Sequence, residues 1–361
     1  RCWLLCKPSA LAQHLVRSLG RSVGLWGGHW SWPCWPRLQM LRQLLQPPEP
    51  APAVARELLQ LPDSGLVALD WLVGTRGAGG SGRTPSPVLL LIPNAAGKVT
   101  GTLMQLGWRA LEGGFIPVIF NRRGHNGCPL TTPRLQPFGD PGDLREVVTY
   151  LRCRHPMSPL LAASEGSGSG VLLGYLGESG SSSRLAAAAC IAPIFRAREW
   201  FEAGMPWLYE WPLLLHLKRG LSRYAGSLAE AVDVAGLLGS RSLQELEESL
   251  FCRTPTHPTS WETYWERNEP LRDADEAAVP VLCLCSADDP VRGPPARSLP
   301  LELFRSSPYF FLLLTPRGGH GGFPRRGPGC CWGHEAVLEF FRAVAEFLQA
   351  EERRKGLPRP R

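Results

Sequence analysis

Between Val88 and Leu348, short apolar runs alternate with stretches of helical periodicity, and this alternation decides what the chain can fold into. The runs are Val88–Ile92, Ile116–Phe120, Pro159–Ala163, Leu185–Ala192, Val281–Ser286 and Tyr309–Leu314. A strand that is apolar at nearly every position is covered on both faces, which is the mark of a parallel sheet between helical layers. Thr102–Gly113, Leu144–Arg154, Val171–Gly177 and Glu335–Leu348 read as the intervening helices. Asp140 is the expected N-cap of the second of these, with Pro141 at its first position and Asp143 as the carboxylate of its first turn. Arg196–Pro270 breaks the rhythm: it is aromatic, helical in pattern and has no buried-strand signature. The expected class is therefore α/β, a mostly parallel central sheet with helices on both faces and a helical insertion.

Upstream, Leu11–Leu19 looks helical, Trp26 to Trp35 forms a Trp-rich turn, and Leu38, Leu41, Leu44 and Leu45 fall on one helical face. Leu66–Val73 reads as a strand and Gly74–Pro87 as a polar loop. The expected divisions are 1–65, an N-terminal helical and Trp-rich segment; 66–195, the first part of the core; 196–270, the insertion; 271–350, the second part of the core; and 351–361, a basic tail.

Several functions fall away. The 361 residues carry a net charge of +7, but much of the excess sits in Arg353, Arg354, Lys355, Arg359 and Arg361. No basic stripe is interleaved with aromatics, so nucleic acid is not an expected partner. Gly77, Gly79 and Gly82 have dinucleotide-loop spacing, yet Pro85 and Pro87 stand where a helix would begin. Gly97-Lys98 resembles a phosphate loop, but Ile92 replaces its first glycine and Val99 its hydroxyl residue. Eleven cysteines include no CxxC pair, and the histidines no HExxH, so neither metal nor cofactor is expected. Most cysteines read as buried thiols, compatible with a reducing compartment; Cys283 and Cys285, two apart, should face one side. No apolar run reaches the roughly 18 residues that cross a bilayer.

In an open parallel sheet, function sits beyond the carboxyl ends of the strands. After the penultimate run comes Ser286-Ala287-Asp288-Asp289-Pro290, and after the last Gly318-Gly319-His320-Gly321-Gly322-Phe323. An acid and a glycine-flanked His in that order suit a hydrolytic triad, in which the carboxylate orients the imidazole and the imidazole takes the nucleophile's proton. The nucleophile should follow Pro159–Ala163 in a sharp turn with small residues two before and two after it. Ala162-Ala163-Ser164-Glu165-Gly166-Ser167-Gly168-Ser169-Gly170 allows three frames. Ser164 central gives an AxSxG variant. Ser167 central puts Glu165 where a small residue is needed. Gly166 central meets every steric demand and offers no nucleophile.

Val88–Ile92, Asn121-Arg122-Arg123-Gly124, Asp288-Asp289-Pro290 and the Gly318–Phe323 loop resemble family 4 of the α/β-hydrolases, a group of membrane-linked lipid hydrolases. Ala163–Ser169, Ala192-Pro193-Ile194 and Arg198–Gly204 narrow the likeness within that family. The resemblance runs from about Leu38 to Leu348 and implies an α/β-hydrolase fold, with the insertion as a lid. It implies Asp288 as the acid, Asp289 in reserve and His320 as the base. Ungapped, it sets Gly166 at the nucleophile position, with Ser164 as the alternative and Ser167 behind it. Asn94, Ala95 and Ser167 then line the oxyanion side. The function implied is lipid metabolism, by binding a lipid or protein partner in a pseudo-hydrolase, or by serine esterase or lipase action on acylglycerol or phospholipid esters. Trp200, Trp207, Trp211, Trp261 and Trp265 are read as lining lid, pocket or core, and alternatively as an exposed contact patch for a protein partner. A membrane surface is the other partner considered. By its position, Cys2-Trp3-Leu4-Leu5-Cys6 reads as the end of an anchor or signal peptide, for a membrane-associated or secreted protein. Glu165, beside the turn, needs a partner, for which Arg122 or Arg123 is the candidate.

Overall fold

The computed structural model describes residues 2–22, 53–74, 85–255, 257–323 and 331–356. The Trp26–Trp35 turn, the Leu38–Leu45 stretch and most of the Gly74–Pro87 loop lie outside them. Nine strands form one sheet: β1 (Trp3–Cys6), β2 (Val54–Gln60), β3 (Leu66–Leu72), β4 (Val88–Ile92), β5 (Ile116–Asn121), β6 (Leu160–Glu165), β7 (Ala187–Ile191), β8 (Val281–Ser286) and β9 (Phe310–Thr315). Their order is β1-β9-β8-β7-β6-β4-β5-β3-β2. The six strands from β9 to β5 run parallel, while the β1–β9, β3–β5 and β2–β3 pairings are antiparallel.

The helices of the core are α1 (Ala10–Ser22), α2 (Gly101–Glu112), α3 (Gly142–Arg154) and α4 (Ser169–Ser179). Between β7 and β8 come α5 (Ala197–Ala203), α6 (Trp207–Ser222), α7 (Ala225–Leu228), α8 (Val234–Gly239), α9 (Leu243–Phe251) and α10 (Trp261–Asn268). After β8 follow α11 (Pro295–Ser298) and α12 (Leu301–Ser306), and α13 (Trp332–Arg354) closes the fold.

The period-2 alternation of each strand divides the core into two layers. Leu89, Leu91, Leu161, Ala163, Leu282 and Leu284 point toward α1, α2 and α13. Leu90, Ile92, Leu160, Ala162, Cys283 and Cys285 point toward α3, α4 and α12, so the two cysteines do share one side. The insertion has an apolar cluster of its own, in which Phe201, Leu214, Leu237, Leu246 and Trp265 pack against Leu130, Leu135 and Phe138 of the loop after β5.

Trp3–Cys6 is an edge strand on β9, with Leu4 and Cys6 packing on one layer and Leu5 on the other. Helix α3 starts one residue later than expected: Pro141 and not Asp140 is its N-cap, although Asp140 accepts the Gly142 N–H at 2.8 Å, and Asp143 stands in the first turn as expected, where Arg123 grips it through two bonds of 2.7 Å. Cys2, Cys128, Cys190, Cys252, Cys283 and Cys285 are buried thiols. Among the described residues, no helix is long and apolar enough to cross a membrane.

Candidate active site

The loops after β4, β6, β8 and β9 meet at one end of the sheet. The turn after β6 takes the third frame. Gly166 occupies its tip with φ +53°, a left-handed conformation that costs a side-chain-bearing residue about 1–2 kcal/mol. A Cβ on Gly166 would stand 3.1 Å from His320 Nε2, and one on Gly168 would stand 2.1 Å from the Pro93 carbonyl oxygen. The backbone thus folds back where the sequence supplies glycine, and the position facing the imidazole carries no side chain.

The serines face elsewhere. Ser164 is fully buried in β6, and its hydroxyl pairs with that of Ser169 at 2.9 Å, beside the Cys190 thiol. Ser167 Oγ accepts the Ala95 backbone N–H at 2.9 Å. In this fold an N–H from the loop after β4 is one of the two oxyanion donors, so the Ser167 hydroxyl sits on a group that would otherwise receive a substrate oxygen. Asn94 lies on the same side, its Cβ 4.0 Å from a Cβ placed on Gly166, and its buried Oδ1 has no partner among the described residues. No serine hydroxyl among the described residues hydrogen-bonds His320.

The acid is a correction to the expected assignment. Asp289, and not Asp288, lies on the imidazole, with His320 Nδ1 at 3.0 and 3.2 Å from its two carboxylate oxygens. Asp289 is a turn former: it precedes Pro290 and accepts the N–H groups of Val291 and Arg292 at 2.9 and 3.1 Å, which aims its carboxylate inward. Asp288 points the other way and accepts the Gly319 N–H at 2.9 Å, holding the histidine loop from behind together with a bond from Ser286 Oγ to the Gly319 carbonyl. An Asp-Pro turn was the sequence signal that separates the two carboxylates.

Electrostatics follow from these contacts. Burial works against the charge on Asp289, but His320 and Arg292 outweigh it and hold the carboxyl below its usual range. Burial also disfavours a charged His320, yet Asp289, with Glu165 behind it, holds the imidazole above its ordinary value. Burial pushes the Glu165 carboxyl up. Its partner is the Thr100 hydroxyl, which donates at 2.6 Å, rather than either expected arginine. Thr100 also caps α2, accepting the Leu103 N–H at 3.0 Å, so Glu165 is tied to the start of that helix. Arg123 joins Asp143 and Asp63, and Asn121 donates to Asp70 at 2.8 Å, so the Asn-x-Arg-Gly stretch braces the scaffold. Arg122 is buried near Glu247 of α9. Among the described residues no trio of His, Cys, Asp or Glu is placed to hold a metal.

The tryptophans divide. Trp265 is buried, and Trp200 and Trp261 pack around Phe201. Trp207 and Trp211 on α6 face solvent, 72% and 63% exposed.

The arrangement orients an imidazole and favours its protonated form, and among the described residues no serine hydroxyl stands against its Nε2. No family model matches the chain. Human protein ABHD15 is 60% identical over 364 residues, covering 100% of this chain and 78% of that protein. Mouse phospholipase ABHD3 is 28% identical over 324 residues, covering 87% of this chain and 77% of that protein. In fold, a Mycobacterium tuberculosis puromycin-hydrolysing peptidase aligns with a TM-score of 0.53 at 17% identity, over 81% of this chain and 39% of that one. A Pyrococcus furiosus esterase aligns with a TM-score of 0.50 at 12% identity, over 86% and 96%. A full-length match at that level of identity, on a sheet with this strand order, means that the chain belongs to the ABHD15 family of α/β-hydrolase-fold proteins.

Proposed function

We propose that this protein is a pseudo-hydrolase of lipid metabolism, which binds a lipid or acyl ester at the β4–β6–β9 rim without cleaving it. The observation that carries this reading is Gly166 at the tip of the turn, facing His320 Nε2 where a hydroxyl would have to stand. The Ser167–Ala95 bond supports it from the oxyanion side, because an occupied N–H cannot stabilise a developing charge without first giving up its partner. The lipid class comes from relatives: the names phospholipase ABHD3 and, for a zebrafish relative 23% identical over 207 residues, monoacylglycerol lipase ABHD2 both describe lipid esters. The helical insertion acts as the lid over this rim, and its tryptophans serve both its core and its surface.

The second reading is a serine esterase using Ser164 or Ser167, favoured by the intact Asp289–His320 pair. It requires either hydroxyl to leave its present partner and reach the imidazole. Incubation of the purified protein with monoacylglycerol and with lysophospholipid, following both binding and fatty-acid release, separates the two. The proposal expects binding with release no faster than in buffer. Release that disappears in the Ser164→Ala/Ser167→Ala double variant would establish the esterase.

A further inference from the structure

Helix α6 is apolar on two sides. Tyr209, Leu214 and Leu221 are buried, and Leu214 and Leu221 belong to the insertion's own cluster. On the opposite arc Trp207, Leu208, Trp211 and Leu215 are 72%, 57%, 63% and 47% exposed. Steps of three and four residues put these four on one stripe. Single exposed apolar residues are ordinary, whereas a contiguous group with two tryptophans marks a binding surface.

What the stripe fits is decided by its surroundings. On the adjoining flank, one and two turns beyond Leu215, stand the exposed Arg219 and Arg223. A cavity of about 310 Å³ under the same end of the helix is lined by Lys98, His125, His216 and Arg223, and by no carboxylate. Lys98, Arg219 and Arg223 form no ion pair among the described residues. Positive charge beside the stripe is thus left uncompensated among the described residues. Tryptophan suits the boundary between headgroups and acyl chains, where its ring is apolar and its N–H remains hydrated, and basic side chains beside it meet anionic headgroups.

We propose that α6 is an interfacial docking helix for an anionic lipid surface. Trp207, Leu208, Trp211 and Leu215 enter the headgroup boundary, while Lys98, Arg219 and Arg223 face the lipid phosphates and carboxylates. His216 and Ala96 line the same cavity, so the docking helix packs beside the loop that carries the Ala95 donor. The surface therefore adjoins the rim of the site, although docking does not depend on whether Gly166 is inert.

The test is flotation of the full chain with phosphatidylcholine vesicles and with phosphatidylcholine–phosphatidylserine vesicles, alongside tryptophan emission. The expected result is stronger binding to the mixed vesicles, a blue shift on binding, and weakening by salt. Arg219→Glu/Arg223→Glu should weaken binding by at least about thirtyfold, since two attracted charges are lost and two repelled ones are added. Trp207→Ala/Trp211→Ala should weaken it by at least about tenfold on both vesicle types. Leu58→Ala, at an exposed apolar residue of strand β2, should change nothing. Unaltered melting temperatures would show that the α6 variants remain folded. Equal binding by the native chain and both α6 variants, or no vesicle binding by the native chain, overturns the proposal. So does a dimer in solution that Trp207→Ala/Trp211→Ala dissolves, since a second copy would then be the occupant.

Discussion

The acid–base half of the site and the nucleophile half lie side by side but are held by different contacts. Asp289 accepts two backbone N–H groups, lies against the buried Arg292 and receives His320, while Asp288 and Ser286 anchor the histidine loop at Gly319. Each of these groups has a folding reason to be where it is. The nucleophile half contains a glycine tip and two serines, each already bonded within the protein. An intact Asp–His pair is thus weak evidence for catalysis, because the loop after β8 needs that carboxylate even if nothing is activated. The turn after β6 is the informative half, since its shape needs glycine at Gly168 and its chemistry would need a hydroxyl at Gly166.

The largest expected effect contrasts the two carboxylates. Asp289→Ala leaves Arg292 and His320 without their buried partner and should cost about 3–5 kcal/mol. Asp288→Ala removes one backbone bond and should cost about 1 kcal/mol. Chemical denaturation measures both, and equal losses would break the distinction drawn between the two. Next come the two glycines of the turn. Gly168→Ala drives a methyl into the Pro93 carbonyl and should cost roughly 3 kcal/mol, whereas Gly166→Ala should cost about 1–2 kcal/mol, for its left-handed backbone and a tight 3.1 Å approach to His320 Nε2. If the two melting temperatures fall together, the frame of the turn is wrong.

A smaller effect is pH dependence. Asp289, held low, contributes stability above the unfolded carboxyl value of about 4 and loses it as pH falls through its folded value. His320, held high, contributes below the unfolded imidazole value of about 6.5 and loses it as pH rises through its folded value. The stability gap between the native chain and Asp289→Asn should therefore be widest at roughly pH 4–6.5 and narrow on either side. Glu165 has the opposite sign. Its raised value makes it a liability as pH rises, so Glu165→Gln should gain relative stability above about pH 5. A gap independent of pH would mean that the pair is not ionised as described. Smallest is Ser164→Ala, which should cost about 1 kcal/mol through the lost bond to Ser169 and should leave ligand binding untouched.

Much of this was legible in the sequence, and the reasons differ by region. The parallel strands could be read to within a residue or two because each is buried on both faces, so composition alone marks them. β2 could not. Its residues Val54–Gln60 are mostly exposed, and it is a strand because β3 pairs with it and Asp70 holds Arg56. The frame of the turn was readable because steric demand falls on particular positions. The choice between Asp288 and Asp289 depended on which carboxylate heads the turn, and Thr100 as the partner of Glu165 depended on β4 and β6 being neighbours, which no local pattern encodes. The tryptophans of the insertion were expected to share one role, and α6 instead turns two of them outward.

Covalent labelling by a fluorophosphonate, with the site mapped by mass spectrometry, bears most directly on the proposal that the turn is inert. The native chain should remain unlabelled, while Gly166→Ser, and more so Gly166→Ser/Ser167→Ala, should label at residue 166, because the new hydroxyl meets His320 and the second change frees the Ala95 N–H. Labelling of the native protein at Ser164, Ser167 or Ser169 would contradict the account.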